Sequence, residues 1–226
     1  MAAIAILKPD LGTVEVWATL CFYGTEATPK LGQAITDEIN SQYNDVKAEV
    51  WVQNKFYRVE FNIDYQVIND IDTLVKLVSG NTDFRKNFIR IEAKNNLTRS
   101  FMGFGLGDNV GHWITSDGLG HSTTAPHEFG HGLGLDHPEE IDFRGVEISP
   151  PIMAPRGTIV DANFQWNPTA LVGEFGGTMN PKHRKVSATE IKQVFELIDF
   201  NENGVALIGR LSNILFDEVG NPIGWV

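Results

Sequence analysis

Three histidines, a glutamate and a glycine occupy fixed positions in the segment 127–137, which reads HEFGHGLGLDH. His127 and His131 are four residues apart, and residues at that spacing lie on one face of a helix, roughly 6 Å from each other. Two imidazoles placed in this way can share one metal ion at about 2.0–2.1 Å. The spacing therefore predicts a helix that carries two ligands of a zinc site.

The other fixed positions offer a base and a third ligand. Glu128 is rotated by about 100° from His127 on the helix, so its carboxylate can reach a water on the metal. A continuing helix would carry His137 away from the ion, but Gly134 can adopt the left-handed conformation that ends a helix. Three neutral histidines then leave a fourth coordination position open, as a catalytic zinc site requires.

Coincidence is a poor explanation of the whole pattern. A pair of histidines at helical spacing is common without a metal, but with average residue usage five fixed positions match by chance in about one chain in 10^5. A zinc site without catalysis is the second alternative. The presence of Glu128 disfavours it, because a purely structural site needs no base. The pattern favours one catalytic Zn²⁺ ion.

The segment 127–137 resembles the zinc signature of the metzincin clan of metalloendopeptidases, and it is closest to the matrixin and serralysin branches. Pro138, directly after the third histidine, is similar to serralysins. The resemblance covers about 30 residues, from the first histidine to the proline at position 155. It leaves the subfamily unassigned.

Members of the clan also have a methionine in a tight turn beneath the zinc. Met153, in the segment 151–155, is the favoured match because of its shorter connection to the third histidine, and Met179 is the rival. Ala154 stands where matrixins have tyrosine. Pro155 stands where serralysins and astacins have a tyrosine that contacts the zinc, so such a tyrosine is not expected here.

The resemblance implies an α+β fold with a single catalytic domain over residues 1–226. The expected upper lobe, about residues 1–134, is a twisted mixed five-stranded sheet with packed helices. The expected lower lobe, about residues 135–226, is irregular and contains a C-terminal helix. The zinc cleft would lie between the two lobes.

The function implied is that of a zinc-dependent endopeptidase. His127, His131 and His137 would bind the metal, and Glu128 would be the general base that activates water for attack on the peptide bond. The first alternative is an inactive zinc-containing module that binds peptides without turnover. The second is a zinc amidase with the same chemistry on a non-peptide substrate.

Composition limits the partners of this chain of 226 residues. A net charge of −11 provides no basic stripe for nucleic acid. The implied function makes a peptide or protein substrate the expected partner, and a monomer is the expected state. Cys21 is the one cysteine, which excludes an internal disulfide. No apolar run has transmembrane length, and the apolar segment 2–7 is too short for a signal peptide core. The family resemblance suggests secretion, although no signal is recognisable.

Periodicity and capping patterns predict the elements around the motif. The expected helices cover 28–40, 73–79, a zinc helix that starts near Pro126, and a last helix after the capping box of Ser187 and Glu190. The expected strands cover 14–23, 57–67, 87–93, 100–106 and 111–115, followed by a hairpin in 205–226. The strand 100–106 is the candidate edge strand for an extended peptide, and a plain hairpin is its alternative.

The segment 199–204 has some of the residues of a second metal site. Its sequence, DFNENG, matches the first half of a calcium-binding loop. The twelfth position of that loop should be glutamate, and here it is Arg210. We therefore interpret the segment as a polar turn at the end of a helix, with a weak Ca²⁺ site as the alternative.

Overall fold

The computed structural model describes residues 1–146 and 148–224. These residues form an α+β fold whose helices are α1 Pro29–Asn44, α2 Ile71–Ser79, α3 Thr124–Gly132 and α4 Ala188–Glu196. The strands are β1 Ala3–Lys8, β2 Thr13–Tyr23, β3 Glu49–Val52, β4 Lys55–Val67, β5 Lys86–Glu92, β6 Phe101–Met102, β7 Val110–Ile114, β8 Val205–Ile208, β9 Leu215–Phe216 and β10 Pro222–Ile223.

Eight of the described strands form one curled, mixed sheet. Six of them follow the order β3-β4-β2-β5-β7-β6, and β1 pairs with both β2 and β8. Strands β4, β2, β5 and β7 are parallel neighbours, whereas β1, β3, β6 and β8 join them through antiparallel pairs. A mixed sheet was expected, but the prediction of five strands is wrong.

The additional strands have weak sequence signals. Strand β1 overlaps the apolar segment 2–7, and its residues alternate between buried and half-buried, so no polar face marks it as a strand. Strands β3 and β8 have four residues each, which is too short for a clear alternation. Strand β8 was assigned to the terminal hairpin, but it extends the sheet through β1.

The sheet is covered on both faces. Successive residues of β2 point to opposite sides, so Leu20 and Phe22 join the core under α1, α3 and α4, while Cys21 and Tyr23 join the smaller core beside α2. In β4, as predicted, only the face of Tyr57 and its alternate neighbours is buried. The larger core reaches from the sheet to the helix that carries the first two histidines.

Local sequence signals place the helix ends. The Thr28 side chain accepts a hydrogen bond from the backbone N–H of Leu31, with Pro29 in the first turn, as the capping pattern predicts. Ser187 and Glu190 form the predicted capping box of α4. Strand β6 confirms an edge strand within 100–106, although it is only two residues long.

The C-terminal segment is more complex than the predicted single hairpin. Strands β9 and β10 form a hairpin, and Asp217 and Asn221 close its turn. Positions 225 and 226 of the predicted hairpin lie outside the described residues. In the segment 199–204, the side-chain oxygen of Asn201 accepts backbone hydrogen bonds at 2.9 and 3.0 Å, and the chain turns there into β8.

Among the described residues, no helix has the combination of length and apolar character needed to span a bilayer.

Candidate metal centre

Helix α3 presents the first two histidines of the motif. It begins at Thr124, after Thr123 with a positive φ of 64°. The backbone N–H of Thr123 donates to the carboxylate of Glu38 at 2.7 Å, and the phenol of Tyr43 donates to the carbonyl of Pro126 at 3.1 Å. Both partners lie on α1. The first turn of the helix is therefore fixed by α1 rather than by a side-chain cap of its own.

The chain leaves α3 through Gly134, as the motif predicts. Gly134 has a φ of +97°, and its N–H donates to the carbonyl of His131 at 3.1 Å. The N–H of Leu135 donates to the carbonyl of Gly130 at 3.0 Å. These two bonds form the Schellman motif of a helix C-terminus. The reversal brings His137 back towards the helix.

The three predicted histidines converge. The Nε2 atom of His137 lies 3.3 Å from Nε2 of His127 and 3.1 Å from Nε2 of His131. One ligand atom from each residue lies within 4.8 Å of the other two. Tetrahedral ligands at about 2.0–2.1 Å from one zinc ion are about 3.3 Å apart, so the spacing of the Nε2 atoms fits zinc.

Backbone carbonyls fix the orientation of two rings. Nδ1 of His127 lies 2.7 Å from the carbonyl oxygen of Ile152, and Nδ1 of His131 lies 3.0 Å from that of Leu135. A carbonyl only accepts, so each Nδ1 carries the proton and donates it. The lone pair of each Nε2 then faces the shared point, which is the arrangement of histidines that bind metals.

Burial keeps the histidines neutral. It lowers the pKa of His127 well below the usual value, lowers the pKa of His131 to about 4, and lowers the pKa of the less buried His137. Metal binding requires the unprotonated imidazole. At neutral pH these side chains are therefore in the form that binds a metal.

Glu128 lines the same cavity, of about 360 Å³, as the three histidines. Its side chain is buried, and burial raises its pKa to about 7, against the opposing effect of the nearby Arg184 guanidinium. Residues 100–102, next to and within β6, line the other side of this cavity. The candidate base, the candidate ligands and the sheet edge therefore share one cleft.

Met153 packs under α3 beside the histidines. The segment 151–154 forms a turn in which the N–H of Ala154 donates to the carbonyl of Pro151 at 3.0 Å. A Cβ added to Gly130 would come within 2.4 Å of the Met153 sulfur. Met179 instead belongs to a separate small core with Ala154. These contacts favour Met153 over Met179 as the residue beneath the candidate metal.

Sequence reasoning missed the charged residues of the cleft. Arg99, Asp117, Arg156 and Arg184 line the cavity, and none of them lies in a motif of characteristic spacing. They come from separate loops that the fold brings together. The sequence also did not reveal that Glu190 of α4 accepts a second hydrogen bond, from the backbone N–H of Met153 in the turn under the histidines.

These observations define the class of the protein as an α+β fold with a three-histidine centre in a cleft. No family model matches the chain, and no curated protein matches it. Among solved structures, it is similar to archaemetzincin from Methanopyrus kandleri, with 11% sequence identity, a TM-score of 0.42, and coverage of 84% of this chain and 99% of that one. A likeness at that level leaves the family open, and the proposals below rest on the site itself.

Proposed function

We propose that this protein is a zinc-dependent endopeptidase, with His127, His131 and His137 as the ligands and Glu128 as the general base. The observation that carries the proposal is the convergence of three Nε2 atoms in the cleft that Glu128 also lines. The metzincin-like motif adds the expectation of a peptide substrate. The proposed function is compatible with a single catalytic domain in which the lower lobe follows Gly134.

Each residue has a defined part in the proposed reaction. A zinc ion bound by the histidines would supply Lewis-acid chemistry for the hydrolysis of an amide. The carboxylate of Glu128 accepts a proton from the attacking water and then donates it to the nitrogen of the leaving amine. Met153 supports the helix and takes no part in the proton transfers. Because the edge strand β6 lines the cleft, an extended peptide can lie along it.

Strand β6 offers a backbone partner for that peptide. The N–H of Gly103 donates to the carbonyl of Val110 on the β7 side. Hydrogen-bonded and non-hydrogen-bonded pairs alternate in antiparallel sheets, so the N–H and C=O of Met102, one residue earlier, point away from β7. Met102 also lines the cavity. We propose that substrate adds to this edge as a short strand.

The test separates the enzyme from an inactive peptide-binding module. Purified protein is incubated with casein with and without a chelator, and the chelated sample is reloaded with Zn²⁺. The proposal predicts cleavage that stops with the chelator and returns with zinc. A Glu128→Gln variant should keep a stoichiometric zinc content and lose at least about 10²-fold in activity. A variant that binds zinc and cleaves at the wild-type rate would remove Glu128 from the mechanism.

The amidase alternative has the same residues and differs only in substrate. Parallel assays of casein and of small acyl amides distinguish the two. Cleavage of small amides alone would favour the amidase, whereas cleavage inside an unfolded polypeptide supports the endopeptidase. Zinc-dependent binding of peptides without any cleavage would favour the inactive module.

A further inference from the structure

Arg184 is a buried cation in the cleft that forms no ion pair with any of the described carboxylates. Its side chain is 3% exposed and lines the cavity beside Glu128. Nε donates to the hydroxyl of Thr123 at 3.0 Å, and Nη1 donates to the carbonyl of Ala154 at 3.1 Å. Within the described part of the chain, no carboxylate oxygen lies within 4.0 Å of the guanidinium. Burying a charge without a counter-ion lowers the stability of the folded protein. The presence of such a charge in a cleft therefore points to an anionic ligand.

The guanidinium is held ready for such a ligand. Its two hydrogen bonds use two of five N–H donors and fix the plane of the group between the start of α3 and the turn 151–154. Burial lowers the pKa of Arg184 only to about 10, so the group is charged at neutral pH. A planar guanidinium with free donors is suited to bind a carboxylate through two parallel hydrogen bonds.

The carboxylates of Glu128, Glu38 and Asp117 raise the pKa of Arg184 electrostatically, but among the described residues none of them forms an ion pair with it. Arg156 forms an ion pair with Asp117 on the cavity wall, so these two charges cancel. Arg99 also lines the cavity and has no ion pair among the described residues. The lining of the cleft therefore has three arginines and two carboxylates, those of Asp117 and Glu128, on a protein whose net charge is −11. Such a site attracts anionic ligands that the rest of the surface repels.

We propose that Arg184 determines specificity by binding a substrate carboxylate next to the scissile bond. The inference rests on the proposed peptidase function and adds the class of substrate. The carboxylate belongs to an aspartate or glutamate side chain, or to the free C-terminus of a peptide, and in the second case the enzyme would release C-terminal residues instead of cutting inside the chain. Both present the same planar anion to the guanidinium.

A structural brace is the competing explanation. Arg184 joins Thr123 to Ala154, and this function needs only Nε and Nη1. A brace predicts that loss of Arg184 lowers stability and activity towards all substrates alike. A specificity determinant predicts that the loss falls on acidic substrates alone.

The experiment uses four peptides of one sequence. The residue after the scissile bond is glutamate or glutamine, and the C-terminus is free or amidated. For wild-type protein we expect a preference in kcat/KM of about tenfold or more for a peptide with the carboxylate, since charged hydrogen bonds have roughly that effect. The comparison of glutamate with glutamine tests a side-chain carboxylate, and the comparison of the free with the amidated C-terminus tests the terminal carboxylate. Ratios within twofold in both arms overturn the proposal.

Variants assign the preference to Arg184. Arg184→Gln should reduce the preference to near one, and Arg184→Lys should retain part of it because the charge remains. Arg58→Gln is the matched control, since Arg58 lies on β4 in an exposed ion pair. A preference that survives in a folded, zinc-loaded Arg184→Gln variant overturns the proposal. If that variant does not fold, Arg184→Lys takes its place: a preference smaller than that of the wild type supports the proposal, and an unchanged preference contradicts it.

Failure of the peptidase function has a different signature. Binding of the same peptides to zinc-loaded Glu128→Gln protein is measured by fluorescence anisotropy, without turnover. Selective binding of the acidic peptides with no cleavage by wild-type protein would reject the peptidase and keep the role of Arg184. Cleavage of casein without any charge preference would reject the role of Arg184 and keep the peptidase.

Discussion

The carboxylate of Glu190 connects the turn under the histidines to the start of α4. One oxygen accepts a hydrogen bond from the backbone N–H of Met153 at 2.9 Å, and the other accepts from the backbone N–H of Ser187 at 2.8 Å. The carbonyl of the preceding residue, Ile152, accepts from Nδ1 of His127. A helix cap, a turn and a candidate metal ligand therefore form one continuous chain of hydrogen bonds.

This chain predicts that removal of Glu190 affects more than a helix cap. Glu190→Ala leaves the backbone N–H groups of Met153 and Ser187 without partners, and we expect a loss of about 2–4 kcal/mol in the free energy of unfolding. Ser187→Ala removes only the cap and should lose about 1 kcal/mol. Urea unfolding of the two variants measures the difference. Equal losses would show that the bond to Met153 contributes nothing.

The two methionines predict different effects on zinc. Met153→Ala and Met179→Ala both open a cavity in a packed core, so each should lower the free energy of unfolding by about 2–5 kcal/mol. Only Met153 contacts the helix of the ligands, at Gly130. We expect zinc affinity, measured by competition with a chromophoric chelator, to fall about 10-fold in the Met153 variant alone. The opposite result would make Met179 the residue beneath the metal.

Substitution of Gly134 by alanine should lower the affinity for zinc through backbone strain alone. Its φ of +97° is unfavourable for alanine, and a Cβ there would make only an ordinary contact of 3.5 Å with Leu197. Gly134→Ala should therefore lose about 1–2 kcal/mol in stability and displace His137. Gly12→Ala is the control, because Gly12 has a φ of +65° with open space around it in the turn between β1 and β2. Calorimetric titration with Zn²⁺ should show weaker binding only in the Gly134 variant.

The cluster of three histidines was predictable because its geometry is local. The residues 127–137 encode both a helix and its end, and the spacing of His127 and His131 follows from the helix repeat. The turn at Gly134 follows from the one residue type that tolerates its backbone. The positions of the three histidines thus depended little on the rest of the fold.

The remaining parts of the cleft depend on contacts distant in sequence. Arg184 and Thr123 are 61 residues apart and meet only after the lower segment folds under α3. Strand β8 joins β1 across almost the whole chain, so its partner cannot be inferred from its own four residues. Short strands and isolated charges carry no periodic signal, and for that reason the strand count and the charged residues were missed.

The buried carboxylate of Glu128 predicts how the stability of the metal-free protein changes with pH. Burial raises its pKa from the ordinary 4.5 to about 7 in the folded state. A raised pKa gives stability that is fully present below pH 4.5 and is lost as pH rises through about 7. The shift corresponds to about 3 kcal/mol.

Glu128→Gln removes this titration and leaves the other ionisable groups in place. The free energy of unfolding of the wild type minus that of the variant should fall by up to about 3 kcal/mol from pH 5 to pH 8. Urea unfolding in the presence of a chelator measures it. A difference that stays constant with pH would contradict a raised pKa for Glu128.

Met102 predicts how much the sheet edge contributes to substrate binding. Its N–H points away from β7, so proline at this position removes a donor to the substrate without removing a bond of the sheet. Met102→Pro should raise KM about 5- to 10-fold, which corresponds to the loss of one hydrogen bond, and leave zinc content unchanged. Met102→Leu keeps the N–H and a side chain of similar volume, so its KM should stay near the wild-type value. The partner of this donor is a carbonyl of the substrate, so a peptide in which that carbonyl is reduced to a methylene should discriminate little between wild type and Met102→Pro. Full discrimination against the proline variant with that modified peptide would place the substrate elsewhere in the cleft.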